Sequence, residues 1–130
     1  MVICASGLVG KKLSVKLVEL GYRVIAYRSR SSGQHAMDHE AGTIDKKSLE
    51  GAFTVIHLAG ESIAQSWTED AKAHIMASRK GNTLLLYRTL ASLARKPQVF
   101  ISMPGINRYG LHRNGLLTEA SNCVVDGFLS

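Results

Sequence analysis

Apolar residues near the start of the chain change from the spacing of a strand to that of a helix and back again. The short apolar run at positions 1–4 ends in Ala5-Ser6-Gly7, as expected for a strand that leads into a glycine turn. Between positions 8 and 20 the apolar residues Val9, Leu13, Leu17 and Leu20 recur three or four apart, which predicts a helix with one buried stripe, and Gly21 follows where that helix would end. Positions 23–27 then form a short run of strand-forming residues. The pattern predicts a strand, a helix and a strand, in that order.

The middle of the chain predicts a second unit of strand and helix. After a polar, glycine-containing segment, the nearly continuous apolar run at 53–58 is typical of a strand buried on both faces. Ser66 and Glu69 have the spacing of a capping box, which predicts a helix that starts there and continues to about Arg79.

Beyond this helix two alternatives remain open. Gly81-Asn82-Thr83 either separate it from a second helical segment or lie in one continuous, bent helix. Pro97 closes the unit, and positions 99–102 predict a fourth short strand. Alternating strands and helices call for parallel strands joined by right-handed crossovers. The predicted fold is α/β, a Rossmann-like parallel sheet of about four strands with helices on both faces.

A sheet with this number of strands would end early. The complete doubly wound dinucleotide fold has about six strands in the order 3-2-1-4-5-6, so the fourth strand would keep a bare outer edge. An open strand edge favours pairing with another chain or instability. The sequence therefore predicts that residues 1–130 are a partial dinucleotide-binding domain, which self-associates through the exposed edge.

The composition is that of an ordinary globular protein and disfavours several classes. Of the 130 residues, 45% are apolar and 20% are charged, which suits a single domain with a core. No apolar stretch approaches the ~20 residues that span a bilayer, and the first residues lack the features of a signal peptide. Cys4 and Cys123 have no spacing typical of a disulfide framework or of zinc. We therefore expect a cytoplasmic protein with no membrane span and no metal site.

The net charge of +6 does not point to nucleic acid. Sixteen Lys and Arg outnumber ten Asp and Glu, but the basic residues are dispersed along the chain and acidic residues lie among them. Nucleic-acid binding needs basic side chains gathered on one face or groove. We expect no nucleic-acid partner.

The glycine turn after the first predicted strand is a candidate dinucleotide site. The fingerprint of such sites uses glycines for a tight turn, for close approach of the backbone to pyrophosphate, and for close packing of helix on strand. The turn, Cys4-Ala5-Ser6-Gly7-Leu8-Val9-Gly10, supplies the second and third glycines and has Cys4 in place of the first. A purely structural turn stays open as the alternative. The position between a strand and an amphipathic helix favours nucleotide binding.

Two arginines after the second predicted strand bear on which dinucleotide is bound. NAD-specific sites usually have an acidic residue about 20 residues beyond the glycines, whereas the 2′-phosphate of NADP needs positive charge there. Arg28 and Arg30 lie at this place, and the next acidic residue is Asp38. NADP therefore fits better than NAD, because guanidinium groups bind phosphate oxygens well. The alternative is that both arginines are loop charges in contact with water.

Further motifs are shared with a known family. The run His57-Leu58-Ala59-Gly60-Glu61, followed by Trp67 and Ser78-Arg79, is fairly specific. The full set of matching segments is Ser6–Gly10, Ala41–Asp45 with Leu49–Gly51, Val55–Ala64, Trp67, Lys72, Ser78–Arg79, Gly81 and Thr83. These segments resemble the atypical, extended short-chain dehydrogenase/reductases known as NAD-dependent epimerase/dehydratase family proteins, some of which are described as cell-division inhibitors. Nearly the whole chain resembles the N-terminal portion of this family, whose members are much longer.

The resemblance implies a Rossmann site for NADP and, in an active full-length relative, hydride transfer on an unknown carbonyl or sugar-type substrate. Together with Arg30, the candidate cofactor-binding residues are Ser6, Gly7, Leu8, Val9 and Gly10 at the pyrophosphate, Arg28 at the adenosine end, Leu58, Ala59, Gly60 and Glu61 along the middle, and Ser102 near the nicotinamide.

The chain departs from the family where catalysis is concerned. Pro104 stands where relatives have a hydroxyl residue that normally binds the substrate. Reductases of the wider superfamily use a catalytic tyrosine, and a lysine four residues later in the chain lowers the pKa of this tyrosine. None of the four tyrosines in this chain is followed by a lysine at that spacing. No catalytic residue is therefore assigned. The predicted function is an NADP-binding domain that is incomplete for catalysis, and the alternative is a non-enzymatic nucleotide sensor or protein-interaction module.

Two conspicuous side chains favour structural roles. His57 lies inside a predicted strand, which favours a histidine that is hydrogen-bonded in the core over an acid or base. Trp67 lies at a predicted helix start, which favours a packing anchor over a substrate platform.

Overall fold

The computed structural model describes residues 2–3, 5, 7–29, 35–103, 105–110, 115–125 and 127–128. The strands among these residues are β1 (Val2–Ile3), β2 (Arg28–Ser29), β3 (Ala36–Asp38), β4 (Thr43–Ile44), β5 (Thr54–His57) and β6 (Val99–Ser102). The α-helices are α1 (Leu8–Glu19), α2 (Lys46–Leu49) and α3 (Glu69–Ala91), and a 3-10 helix (Ile106–Tyr109) follows β6.

The main sheet is parallel and has the strand order β1-β5-β6. Val2 pairs with Ile56 in β5, and the pairing of β5 with β6 runs from Thr54 and Val99 to His57 and Ser102. The last residues of β5 and β6 therefore lie side by side at the carboxyl end of the sheet. This is the α/β, Rossmann-like arrangement of a parallel sheet with helices that the sequence predicts.

A second, smaller sheet corrects the predicted polar segment. In this sheet β2 pairs with β3 in parallel, and β3 pairs with β4 antiparallel. The strand predicted at 23–27 is wrong in detail, because regular pairing there is limited to an isolated bridge at Ala26. Tyr27, the last residue of this run, is fully buried, and its hydroxyl contacts the Asp45 carbonyl oxygen and the Ser48 hydroxyl next to the small sheet. Burial raises the pKa of Tyr27 to about 12, so this hydroxyl stays protonated.

Helix α3 is one continuous helix, so the alternative of two segments is wrong. Its N-cap is Thr68, whose hydroxyl accepts a hydrogen bond from the Ala71 N–H at 3.2 Å. The capping box predicted at Ser66 is therefore displaced by two residues. Just before the helix, the Trp67 indole N–H donates to the Ile63 carbonyl oxygen at 2.9 Å. Trp67 also packs edge-on against Phe128, which agrees with a packing role.

The core lies between β5, α3 and the small sheet. Its buried cluster consists of Tyr27, Met37, Leu49, Val55, Leu86 and Leu93. The apolar stripe predicted to be buried on α1 is mostly wrong, since Val9 and Leu20 are exposed and only Gly10 of this helix is buried. β6 ends the described sheet and all its residues are exposed, so none of the described strands pairs with its outer edge.

Candidate functional site

A cleft of about 520 Å³ lies at the carboxyl ends of β5 and β6. Parallel α/β sheets bind ligands at this end, because the loops that leave the strands are free to surround a ligand there. The lining residues are His57, Leu58, Ala59, Gly60, Ile63, Arg79, Thr83, Ser102, Met103, Gly105, Asn107 and Arg108. The register of β5 with β6 builds the cleft, since it sets His57 opposite Ser102.

His57 lies in the wall of this cleft and is only 5% exposed. Its Nε2 is 3.0 Å from the Thr83 hydroxyl of α3, so a hydrogen bond joins strand to helix. Burial lowers the pKa of His57, which keeps the ring neutral near pH 7. Its Nδ1 is buried and has no hydrogen-bond partner among the described residues. The structure confirms a hydrogen-bonded, buried histidine and shows that its ring borders the cleft.

The loop after β5 is held on α3 by polar contacts. The Glu61 N–H donates to the Ser78 hydroxyl at 3.0 Å, and this hydroxyl donates to the Ile75 carbonyl oxygen at 3.0 Å. A Cβ placed on Gly60 would lie 3.4 Å from the guanidinium carbon of Arg79, so that guanidinium packs directly on the Gly60 backbone. The loop is thus fixed beside a positive charge at the cleft.

Arg108 also lines the cleft, and it belongs to the 3-10 helix that follows β6. Its Nε and Nη2 donate to the Cys123 sulfur at 3.3 and 3.0 Å. This contact raises the pKa of the exposed Arg108 guanidinium, which therefore keeps its charge. The Val124 N–H donates to the Arg108 carbonyl oxygen at 3.0 Å and ties the same residue to the later chain.

The start of α1 forms a separate arrangement, beside the end of β1. Gly7 precedes the helix in an extended conformation, with φ −72° and ψ 169°, and as the N-cap residue it provides no side-chain cap. The Ala5 N–H donates to the Tyr27 carbonyl oxygen at 3.1 Å, which brings the segment containing Arg28 next to this turn. Arg28 is exposed. The free N–H groups of a helix start and a nearby guanidinium are suited to phosphate groups.

The structure brings some predicted site residues together and leaves others apart. Four of the predicted residues line the same cleft: Leu58, Ala59, Gly60 and Ser102. Glu61 is the residue that follows Gly60 in the chain. Gly7, Leu8, Val9 and Gly10 lie at the start of α1. Arg28 lies in β2, and neither it nor these four residues are among the described lining residues of the cleft. Ser6 and Arg30 lie outside the described residues, as does Cys4.

Sequence reasoning missed the polar residues that α3 and the 3-10 helix add to the cleft. These are Arg79, Thr83, Asn107 and Arg108. Arg79 and Thr83 belong to the shared motifs and are four residues apart, so they lie on one face of a helix. That spacing could have indicated a common role. Nothing in the local pattern marks Asn107 or Arg108, because only the packing of the segment after β6 brings them here.

Two negative findings concern the described part of the chain. No group of three or more His, Cys, Asp or Glu side chains there is arranged to hold a metal ion. Within the same residues, no helix combines the length and the apolar character needed to cross a membrane.

The fold and the cleft at the carboxyl ends of its strands define a Rossmann-type α/β protein. Residues 1–114 match the NAD dependent epimerase/dehydratase family, and since this is most of the chain, the chain belongs to that family.

Individual relatives agree with this assignment. The epimerase family protein YfhF of Bacillus subtilis (strain 168) is 29% identical over 131 residues, which cover 96% of this chain and 43% of YfhF. The crystal structure of human epimerase family protein SDR39U1 (isoform 2) with NADPH matches with a TM-score of 0.79 and 21% identity, over 98% of this chain and 43% of that one. A Burkholderia cenocepacia J2315 structure matches with a TM-score of 0.71 and 19% identity, over 98% and 44%. The chain therefore spans less than half the length of these relatives, and the structural likeness shows the fold.

Proposed function

We propose that residues 1–130 form part of an NADP-binding Rossmann domain of an epimerase/dehydratase-type oxidoreductase. The observation that carries the proposal is the hydrogen bond from the Ala5 N–H to the Tyr27 carbonyl oxygen, 3.1 Å long. It brings Arg28 beside the uncapped start of α1. The helix N–H groups would bind the diphosphate, and the guanidinium would pair with the 2′-phosphate.

Gly7 and Gly10 support this role of the turn for different reasons. Gly7 is exposed at the helix start and has no side chain that would compete for the free N–H groups. Gly10 is the buried residue of α1, as expected where helix and strand pack closely. Leu8 and Val9 would contribute backbone N–H groups. We keep Ser6 as a predicted ligand on the strength of the sequence.

The nicotinamide end of the cofactor would lie in the cleft at the ends of β5 and β6. In the strand order β1-β5-β6, the end of β6 is two strand spacings, or about 10 Å, from the end of β1. A dinucleotide is long enough to run across this distance, past Leu58, Ala59, Gly60 and Glu61 to Ser102. The human relative was crystallised with NADPH, which supports the same class of cofactor here.

Titration of NADPH fluorescence tests the proposal, with NADH as the comparison ligand. Arg28→Ala should weaken NADPH binding about tenfold and change NADH binding less than about twofold, because only NADPH carries the additional phosphate. Arg23→Ala, which removes an exposed arginine from the preceding segment, is the matched control and should leave both affinities unchanged. Equal losses for NADPH and NADH would refute the 2′-phosphate assignment. No fluorescence response up to about 1 mM NADPH would refute the cofactor site itself.

A second candidate function, a protein-interaction module without catalysis, is favoured by one specific observation. The edge strand β6 exposes Phe100 and Ile101, which are 49% and 47% accessible. Light scattering at increasing concentration tests it, with Ile101→Lys as the variant that should abolish edge pairing. Concentration-dependent association without NADPH binding would favour the second function. A monomer that binds NADPH would favour the first. The cytoplasmic location and the absence of a nucleic-acid partner remain predictions.

A further inference from the structure

The cleft at the carboxyl ends of β5 and β6 has an unbalanced charge. Among the described residues that line it there are two arginines, Arg79 and Arg108, and no aspartate or glutamate. Glu61 follows the lining residue Gly60 but does not itself line the cleft. Because burial lowers the pKa of His57, that side chain adds a neutral polar ring to the wall. The cleft is therefore a positively charged cavity.

Arg79 has hydrogen-bonding capacity to spare. Among the described residues, its guanidinium makes one hydrogen bond, from Nη1 to the Ile75 carbonyl oxygen at 3.3 Å. A guanidinium has five N–H donors, so most of them are left for a ligand. The side chain is half-buried and packs on the Gly60 backbone, which limits the freedom that binding would have to restrict. A fixed guanidinium of this kind is suited to the two oxygens of a carboxylate or a phosphate.

Uncharged polar groups surround the two arginines. The hydroxyls of Ser102 and Thr83 and the amide of Asn107 belong to the lining residues. His57 also belongs to the lining residues, and its Nε2 is 3.0 Å from the Thr83 hydroxyl. These groups are the donors and acceptors that would orient the neutral part of a polar ligand.

We propose that this cleft binds the anionic group of the substrate, a carboxylate or a phosphate, between Arg79 and Arg108. The proposal rests on the proposed function, which assigns the phosphates of the cofactor to the start of α1 and to Arg28. The proposed phosphate site lies at the end of β1, which is one edge strand of the sheet β1-β5-β6. Arg108 follows β6, which is the opposite edge strand of the described sheet. The reacting part of the substrate then lies near Ser102. Because none of the described lining residues is acidic, an anionic ligand would supply a counter-charge that an uncharged carbonyl compound would not.

The test uses inorganic phosphate and malonate as probes on the full chain, with binding followed by the NMR shifts of the Ser102, Thr83 and Asn107 amides. Arg79→Gln should weaken binding of the preferred probe about tenfold, since a charge-assisted hydrogen bond is lost. Lys80→Gln, the next residue on α3, removes the same charge from an exposed position outside the cleft and is the matched control. Arg79→Lys keeps the charge but not the planar fork, and should recover only part of the affinity. Comparison of phosphate with malonate identifies which anion is preferred.

NADPH affinity of the same variants separates the substrate from the cofactor. In Arg79→Gln and Arg108→Gln the NADPH affinity should fall by a clearly smaller factor than the affinity for the anion, because the proposed cofactor phosphates lie at the start of α1. A loss of NADPH affinity as large as the loss of anion affinity would assign the arginines to the cofactor and overturn the proposal. Equal effects of Arg79→Gln and Lys80→Gln, or no amide shifts with about 100 mM of either probe, would also overturn it. If NADPH does not bind but the anions still depend on Arg79, the proposed function fails while the anion site stands.

Discussion

Replacement of Gly81 by alanine sets two effects of opposite sign against each other. Alanine in a helix interior is favoured over glycine by about 1 kcal/mol. At this position in α3, however, a Cβ would lie 2.5 Å from Cδ2 of His39, 3.1 Å from its Cγ and 3.2 Å from its Cβ. Carbon atoms normally approach to about 3.5–4.0 Å, so the overlap with the ring is about 1 Å. Turning the ring relieves only part of this overlap, because the contact with the His39 Cβ stays tight in every ring orientation.

The structure therefore predicts a net loss of stability for Gly81→Ala. Overpacking of this kind costs about 1–3 kcal/mol, which exceeds the gain in helix propensity. We expect the free energy of unfolding to fall by about 1 kcal/mol and the Tm to fall by about 4 °C. Urea unfolding, followed by far-UV circular dichroism and by the fluorescence of Trp67, measures the change. An unchanged m value would show that both proteins unfold between the same states.

The His39→Ala background isolates the cause. With the ring removed, only the contact with the His39 Cβ remains, and Gly81→Ala should become neutral or stabilising by up to about 1 kcal/mol. The reasoning is refuted if Gly81→Ala is as stable as the parent, or more stable, while His39 is present. It is also refuted if the effect of Gly81→Ala is the same with and without the imidazole.

The remaining predictions concern the start of α1 and the buried histidine. Gly7→Asp and Gly7→Asn both supply an N-cap and should be as stable as the parent to within about 0.5 kcal/mol, but NADPH affinity should fall at least about tenfold further for the aspartate. Equal losses in the NADPH titration would mean that bulk, not charge, disturbs the turn. Because burial lowers the pKa of His57, its contribution to stability is complete above about pH 6.5 and is lost as the pH falls below that through the folded-state pKa. Urea midpoints between pH 8 and pH 5 should therefore fall more for the parent than for His57→Gln, and parallel curves would contradict this.

Several parts of the fold could be predicted from the sequence because their signals are local. The apolar runs gave β5 and β6 almost to the residue, and the helical spacing gave α1. The predicted start of α3 was wrong by two residues, because the hydroxyl of Thr68, and not that of Ser66, caps the helix. The small sheet was missed, because its strands are two or three residues long and show no periodicity.

The candidate site was predictable only in its strand-end residues. Small residues directly after an apolar run indicate the loop at the carboxyl end of a strand. This signal identified Ala59 and Gly60 as candidate site residues. Arg79 and Thr83 carry a weaker signal, their shared helix face. Arg108 carries none, because its position depends on contacts with Cys123 and Val124 farther along the chain.

The amino-acid order alone determined the alternation of strands and helices, the glycine turn and the membership of the family, because each depends on residues close together in the chain. Only the tertiary structure decided which polar side chains share a cavity, since residues 57, 79, 102 and 108 come from four different elements. It also decided that much of α1 and β6 stays exposed. Periodicity shows which face of an element is apolar, but burial of that face requires a second surface, and nothing in the pattern of a segment states whether that surface is present.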